Sequence, residues 1–68
     1  MYKIGDKVRI VDLDGRYYPL PCFNYLNKVM TIKSIVYEPY DIFPGIYTMN
    51  EDKGLWLWGG NVMEKVEE

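Results

Sequence analysis

Polar and apolar residues alternate along Lys7-Val-Arg-Ile-Val11, the period-two signature of a strand with one buried face. Val8 and Ile10 are expected to point inward and Lys7 and Arg9 toward water, with Gly5-Asp6 as the turn that leads in. Asp12-Leu-Asp-Gly15 ends this strand, because Asp side chains bond nearby backbone N–H groups and Gly accepts a positive φ. The strongest strand pattern covers residues 28–36. Met30 and Ile32 share one face, and Ile35 falls on the other unless a bulge near Ser34 shifts the parity. Residues 46–50 and 55–58 read as a hairpin over Glu51-Asp-Lys-Gly54, with Gly54 at a positive-φ position. Gly59-Gly-Asn61 reads as a tight turn, 62–66 as a last short strand, and Glu67-Glu68 as a frayed acidic end to a domain spanning 1–66.

Two loops separate these elements. In the first, residues 12–27, Pro19 and Pro21 bias Tyr18 and Leu20 toward extended geometry and argue against a helix. Its apolar content predicts partial packing against the sheet. The second loop, residues 37–45, closes on the turn pair Pro44-Gly45.

Leu55-Trp-Leu-Trp58 sharpens the picture. A strand sends alternate residues to opposite faces, so either both indoles or both leucines look outward. A tiny core gains most from its largest side chains, which predicts Trp56 and Trp58 inward and Leu55 and Leu57 outward. The expected core is Val8, Ile10, Met30, Ile32, Tyr47, Met49, Trp56, Trp58 and Val62.

Composition narrows the class. At 68 residues the chain has room for one domain, near the lower limit for folding without staples. Seven Tyr, two Trp and two Phe in a chain 49% hydrophobic argue against disorder. Cys22 stands alone and cannot form an internal disulfide, which points to a reducing cytoplasm. No charged opening leads into an apolar run, and no apolar stretch approaches about 18–20 residues, so neither signal peptide nor membrane span is expected.

The order of elements matches an SH3-like barrel, and three motifs carry a resemblance over most of the chain outside the two loops. Ile4-Gly-Asp-Lys-Val-Arg-Ile10 looks like the opening of bacterial SH3-like and KOW-type barrels. Tyr25-Leu-Asn-Lys-Val-Met-Thr-Ile32 resembles their second strand, where a Gly often stands in the place of Asn27. Trp56-Leu-Trp58, a short turn and Met63-Glu64 resemble the closing strands of small SH3-like proteins of Gram-positive bacteria and their phages. The Ala-Leu-Tyr-Asp-Tyr and Pro-Ser-Asn-Tyr patterns of the eukaryotic SH3 peptide groove are missing. The expected fold is therefore all-β, a single SH3-like barrel of about five antiparallel strands. The resemblance implies a phage or mobile-element protein, one able to act on a host protein.

Candidate chemistry is sparse. The chain has no His, and Cys22 and Ser34 stand without the adjacent base that a nucleophile needs, so no enzyme is expected. Glu51 and Asp52 at the hairpin tip, and Glu67 and Glu68 at the end, read as solvated carboxylates. Asp12-Leu-Asp-Gly15 lacks the later Gly and Glu of a calcium loop, since Tyr17 and Phe23 hold those positions. No metal and no cofactor are expected.

The contact reading rests on the outer leucines. Leu55 and Leu57, widened by Tyr40, Ile42 and Phe43, would form an apolar patch of the kind that marks a protein partner. In the competing reading the loops fold over the leucines and bury them. Of Tyr17 and Tyr18, one is expected to anchor the long loop and the other to face a partner. A homodimer through this face or an unpaired edge strand is one form of the contact. A second reading makes the chain a nucleic-acid-binding accessory domain through the basic first half, Lys7, Arg9, Arg16, Lys28 and Lys33. The net charge of −2 favours scattered solubilising charge there, so a protein partner ranks first.

Overall fold

The computed structural model describes residues 2–67. Its elements are β1 (Lys7–Ile10), a 3-10 helix (Leu20–Tyr25), β2 (Val29–Tyr37), β3 (Ile46–Met49), β4 (Trp58–Gly59), a one-turn 3-10 helix (Gly60–Val62) and β5 (Met63–Lys65). The strands form one antiparallel sheet in the order β4-β3-β2-β1-β5. This is a small all-β domain compatible with an SH3-like fold. The sheet is not closed into a barrel as expected. Its two edges, β4 and β5, are joined by the short 3-10 helix at Gly60–Val62, which carries the chain between them without a ladder. That helix also replaces the tight turn expected at 59–61. The acidic end expected at 67–68 runs into Glu68, which, like Met1 at the other end of the 1–66 domain, lies outside the described residues.

Strand parity sorts the side chains. Val8 and Ile10 on β1 face Met30 and Ile32 on β2, and all four are buried. Beyond Ile32, β2 carries two bulges. Ile32 pairs with Met49 and Ser34 with Thr48, so Lys33 is an extra residue; Ile35 pairs with Tyr47 and Tyr37 with Ile46, so Val36 is another. The first bulge turns Ile35 onto the core side, as the expected shift near Ser34 requires. Asn27 adopts φ 66° just before β2. Asn tolerates this left-handed geometry because its short amide can bond the local backbone.

Eight of the nine expected core residues are buried, and Leu13, Cys22 and Met63 join them. Trp56 is the exception. It is half-buried, packed against the core rather than within it. The reason is that the strand expected over 55–58 forms only from Trp58 onward.

Trp58 itself is fully buried at the centre. Tyr18 stacks on its indole at a centroid distance of 5.7 Å, and Tyr25 meets it edge-on at 5.9 Å. Both tyrosines come from the long first loop, which therefore packs on the sheet. Tyr18 Oη accepts a hydrogen bond of 2.9 Å from the Gly59 N–H, fixing the loop to β4. A 3-10 helix forms where the prolines argued against any helix. Pro21 sits in its first turn, where the missing N–H has no intrahelical role, and only a single tight turn is required.

The buried indole N–H needs an acceptor, and Asp52 supplies it. Asp52 is only 6% exposed, contrary to the solvated hairpin tip expected of it. One carboxylate oxygen accepts from Trp58 Nε1 at 2.9 Å and from the Trp56 N–H at 3.3 Å; the other accepts from the Gly54 N–H at 3.0 Å. Glu51 is also engaged, accepting from the Thr31 N–H at 2.7 Å and the Thr31 hydroxyl at 3.0 Å. By contrast the Tyr47 hydroxyl is buried with no hydrogen-bond partner among the described residues. It lies against Gly45, whose φ of 86° and missing Cβ let the backbone pass over the ring.

Two substitutions should therefore act in opposite directions. Asp52→Ala strands the Trp58 N–H in the core and is expected to cost about 2–4 kcal/mol in urea unfolding followed by tryptophan fluorescence. Tyr47→Phe removes an unsatisfied hydroxyl and is expected to leave stability unchanged or raise it by up to about 1 kcal/mol. A large loss in Tyr47→Phe, or none in Asp52→Ala, would contradict the hydrogen-bond assignment.

Alkaline pH should also destabilise the fold. Burial pushes the Tyr47 hydroxyl above its ordinary value, and the negative charge of Glu38 and then Tyr2 add to it. Burial, then Glu64, does the same for Tyr2, and burial, then Asp52, for the Cys22 thiol. The unfolded chain ionises these groups first, near about 8.5–10. Their contribution is therefore complete below that range and is lost as pH rises through the raised folded values. Urea midpoints measured from about pH 8 to 11 are expected to fall steadily, with the upper part of the fall reduced in Tyr47→Phe.

Candidate functional site

The surface of interest is the outer side of the corner made by β2, β3 and β4. Pairing fixes its membership. Tyr47 and Met49 point into the core, so Ile46 and Thr48, which alternate with them, point out. Tyr37 lies opposite Ile46 and Ser34 opposite Thr48, with Ser34 Oγ and Thr48 Oγ1 2.6 Å apart. Leu57 immediately precedes the inward Trp58.

Both leucines are open to solvent, Leu55 at 71% and Leu57 at 56% exposure, so the loops do not cover them. The Asp52 carboxylate explains why. By holding the Gly54 and Trp56 N–H groups it keeps residues 52–56 coiled as a loop, and Gly54 N–H bonds back to the Met49 carbonyl at 2.9 Å. Residues 55–57 thus stand outside the ladder. Lys53, with φ 59°, takes the left-handed geometry in this loop alongside Gly54.

Tyr40, Ile42 and Phe43 occupy a separate, self-contained turn. Tyr40 and Phe43 exchange two backbone hydrogen bonds of 3.1 and 2.8 Å, and their rings sit 5.2 Å apart. Asp41 enters the left-handed region at φ 52°, and Ile42 at the apex is 95% exposed. Tyr40 is exposed and Phe43 half-buried. The long loop divides its tyrosine pair: Tyr18 is the strut on Trp58, while Tyr17 is exposed beneath the Arg16 guanidinium, 5.7 Å from its ring centre.

Tyr37, Val36 and Ile46 were absent from the sequence-based patch, yet Tyr37 and Ile46 pair on the outer side and Tyr37 and Val36 are exposed. The alternation of Ile46 with the inward Tyr47 was the available signal. Tyr37 reads from sequence as the first residue of the second loop, but it ends β2; the two bulges cancel, so alternation from Met30 and Ile32 already sets it on the outer side.

Two of the five basic residues assigned to a nucleic-acid face are matched by carboxylates. Arg9 lies 4.0 Å from Glu64, and Lys7 Nζ donates to Thr31 Oγ1, the hydroxyl that also bonds Glu51. Arg16 grips Asp14 through bonds of 2.8 to 3.2 Å, which holds the Asp14 carboxyl below its ordinary range and pushes Arg16 up. Lys28 and Lys33 are exposed.

Cys22 is fully buried, and its thiol is disfavoured from ionising. Among the described residues there is no cavity, no cluster of three or more metal-ligating side chains, and no helix long and apolar enough to cross a membrane. No family model, no curated protein and no solved structure matches the chain.

Proposed function

We propose that this chain is a non-enzymatic interaction module of the cytoplasm that binds a protein partner through the outer corner of β2, β3 and β4. The observation that carries the reading is the exposure of Leu55 and Leu57, together with that of Tyr37 at the end of β2, where a freestanding domain ordinarily places polar side chains. The leucines are held out by a buried carboxylate, so their exposure is built into the fold rather than left to a loose loop. Cys22 supports the non-enzymatic part, because a buried thiol with a raised pKa is a poor nucleophile. The resemblance of the opening motif, Ile4-Gly-Asp-Lys-Val-Arg-Ile10, favours a KOW-like type, and that of the closing motif, Trp56-Leu-Trp58 with Met63-Glu64, favours a Gram-positive or phage origin and a host protein as target.

Affinity capture with wild-type chain and with Leu57→Asp, followed by reconstitution with the purified protein that is captured, tests the proposal. Leu57 lies outside the core, so the variant is expected to fold with an unchanged near-ultraviolet spectrum and to weaken the partner at least tenfold. A folded variant that keeps every partner removes this face from consideration.

A nucleic-acid role remains the second reading, favoured by Lys7, Lys28 and Lys33, which have no carboxylate within ion-pair distance among the described residues. It predicts oligonucleotide binding that weakens steeply between about 50 and 200 mM salt. Binding indifferent to salt argues for the protein partner.

A further inference from the structure

We infer that residues 2–5 form a latch on the open sheet: Tyr2 holds it shut through a bond to Met63, and its opening lets water reach the buried Tyr47 hydroxyl while the strands stay paired.

No ladder joins β4 to β5, so side chains must link the two halves of the sheet. Tyr2 is one such link. Its Oη donates to the Met63 carbonyl of β5 at 3.1 Å, and its ring meets Tyr47 of β3 edge-on, with the ring centres 5.5 Å apart. The segment that carries Tyr2 is lightly held. Lys3, Ile4 and Gly5 are exposed, which leaves half-buried Tyr2 as its one side chain packed on the core. Lys3 and Asp6 close a local turn: the Lys3 N–H donates to the Asp6 carboxylate at 2.9 Å, and the Asp6 N–H to the Lys3 carbonyl at 3.0 Å. The segment's backbone bond to the sheet runs from the Gly5 N–H to the Ile32 carbonyl at 2.9 Å. From Asp6 onward the chain is fixed. The Asp6 carbonyl accepts from the Ile32 N–H at 2.9 Å, and Lys65 Nζ lies 3.8 Å from its carboxylate. A segment with one apolar anchor and few bonds opens at a lower free energy than the strands it rests on.

Tyr47 supplies the opposing tendency. Its hydroxyl is buried with no hydrogen-bond partner among the described residues, and burial, then Glu38 and Tyr2, push its pKa up. An unmatched hydroxyl in a core costs free energy that water recovers. The closed latch gains the Tyr2 bond and denies water to Tyr47; the open latch does the reverse. The two effects are of similar order, so a pair of tyrosine hydroxyls sets the balance between the states.

Amide hydrogen exchange of the isotope-labelled chain, followed by NMR at low urea concentrations, tests the latch. The Gly5 and Asp6 amides report on the latch, and those of Ile10 and Val11, bonded to the Lys28 and Val62 carbonyls, report on the sheet. Gly5 and Asp6 are expected to be at least about tenfold less protected than Ile10 and Val11, with rates that stay flat in urea while those of the sheet rise. Tyr2→Phe loses the Met63 bond and is expected to speed Gly5 and Asp6 about fivefold; Tyr47→Phe has no hydroxyl to hydrate and is expected to slow them about fivefold. Asp52→Ala weakens the core away from the latch, so it should speed Ile10 and Val11 and leave Gly5 and Asp6 within about twofold. Latch amides that follow the sheet in urea, or accelerate with it in Asp52→Ala, mean that 2–5 open only with the whole domain and overturn the inference. So do Gly5 and Asp6 rates left unchanged by either tyrosine variant. Should Asp52→Ala fail to fold, the urea dependence of the wild-type chain decides the first point alone.

Discussion

The bond between the Asp52 carboxylate and the Trp58 indole N–H organises this small domain. Trp58 is the largest side chain in the core, and a core of this size cannot bury it without satisfying its one polar atom. Bringing a carboxylate inside is costly in turn, because the charge loses its hydration. Three N–H donors on Asp52 offset that loss, and two of them belong to the backbone of its own loop. The same group thus completes the core and determines the course of the chain between β3 and β4.

The rest of the architecture follows from this arrangement. With the loop coiled around Asp52, β4 is reduced to two paired residues and Leu55 and Leu57 stay outside the ladder. A short edge strand resists indiscriminate strand pairing. The first loop then closes over the indole from the other direction. Tyr18 stacks on Trp58 and accepts from the Gly59 N–H, so the first loop is tied to the β4 edge of the sheet through one aromatic cluster. Gly60 completes the junction by passing so near the Pro44 carbonyl that a Cβ there would collide with it.

The candidate surface was only partly legible in the sequence. Period-two alternation placed both indoles inward and both leucines outward; the leucines are exposed and Trp58 is buried, while Trp56 is only half-buried because residues 55–57 form no strand. It could not carry Tyr37 out of the second loop, because the extension of β2 to that residue depends on its pairing with Ile46. Nor could composition show how the basic residues are disposed. Arg9 and Arg16 meet Glu64 and Asp14, so two of the five cations assigned to a nucleic-acid face are balanced by carboxylates. Net charge describes a chain, while a binding face depends on which charges become neighbours.

Local rules by themselves determined β1, β2, β3, β5 and most of the core, because side-chain alternation and turn chemistry act over a few residues; the strand expected over 55–58 forms only at Trp58–Gly59. Only the tertiary structure decided that Asp52 is buried, that the prolines of the first loop begin a 3-10 helix, and that the sheet stays open between β4 and β5. Each of these depends on groups distant in sequence, such as Tyr18 and Gly59, 41 residues apart. A carboxylate on a turn reads as solvated until the indole that will claim it has been brought alongside.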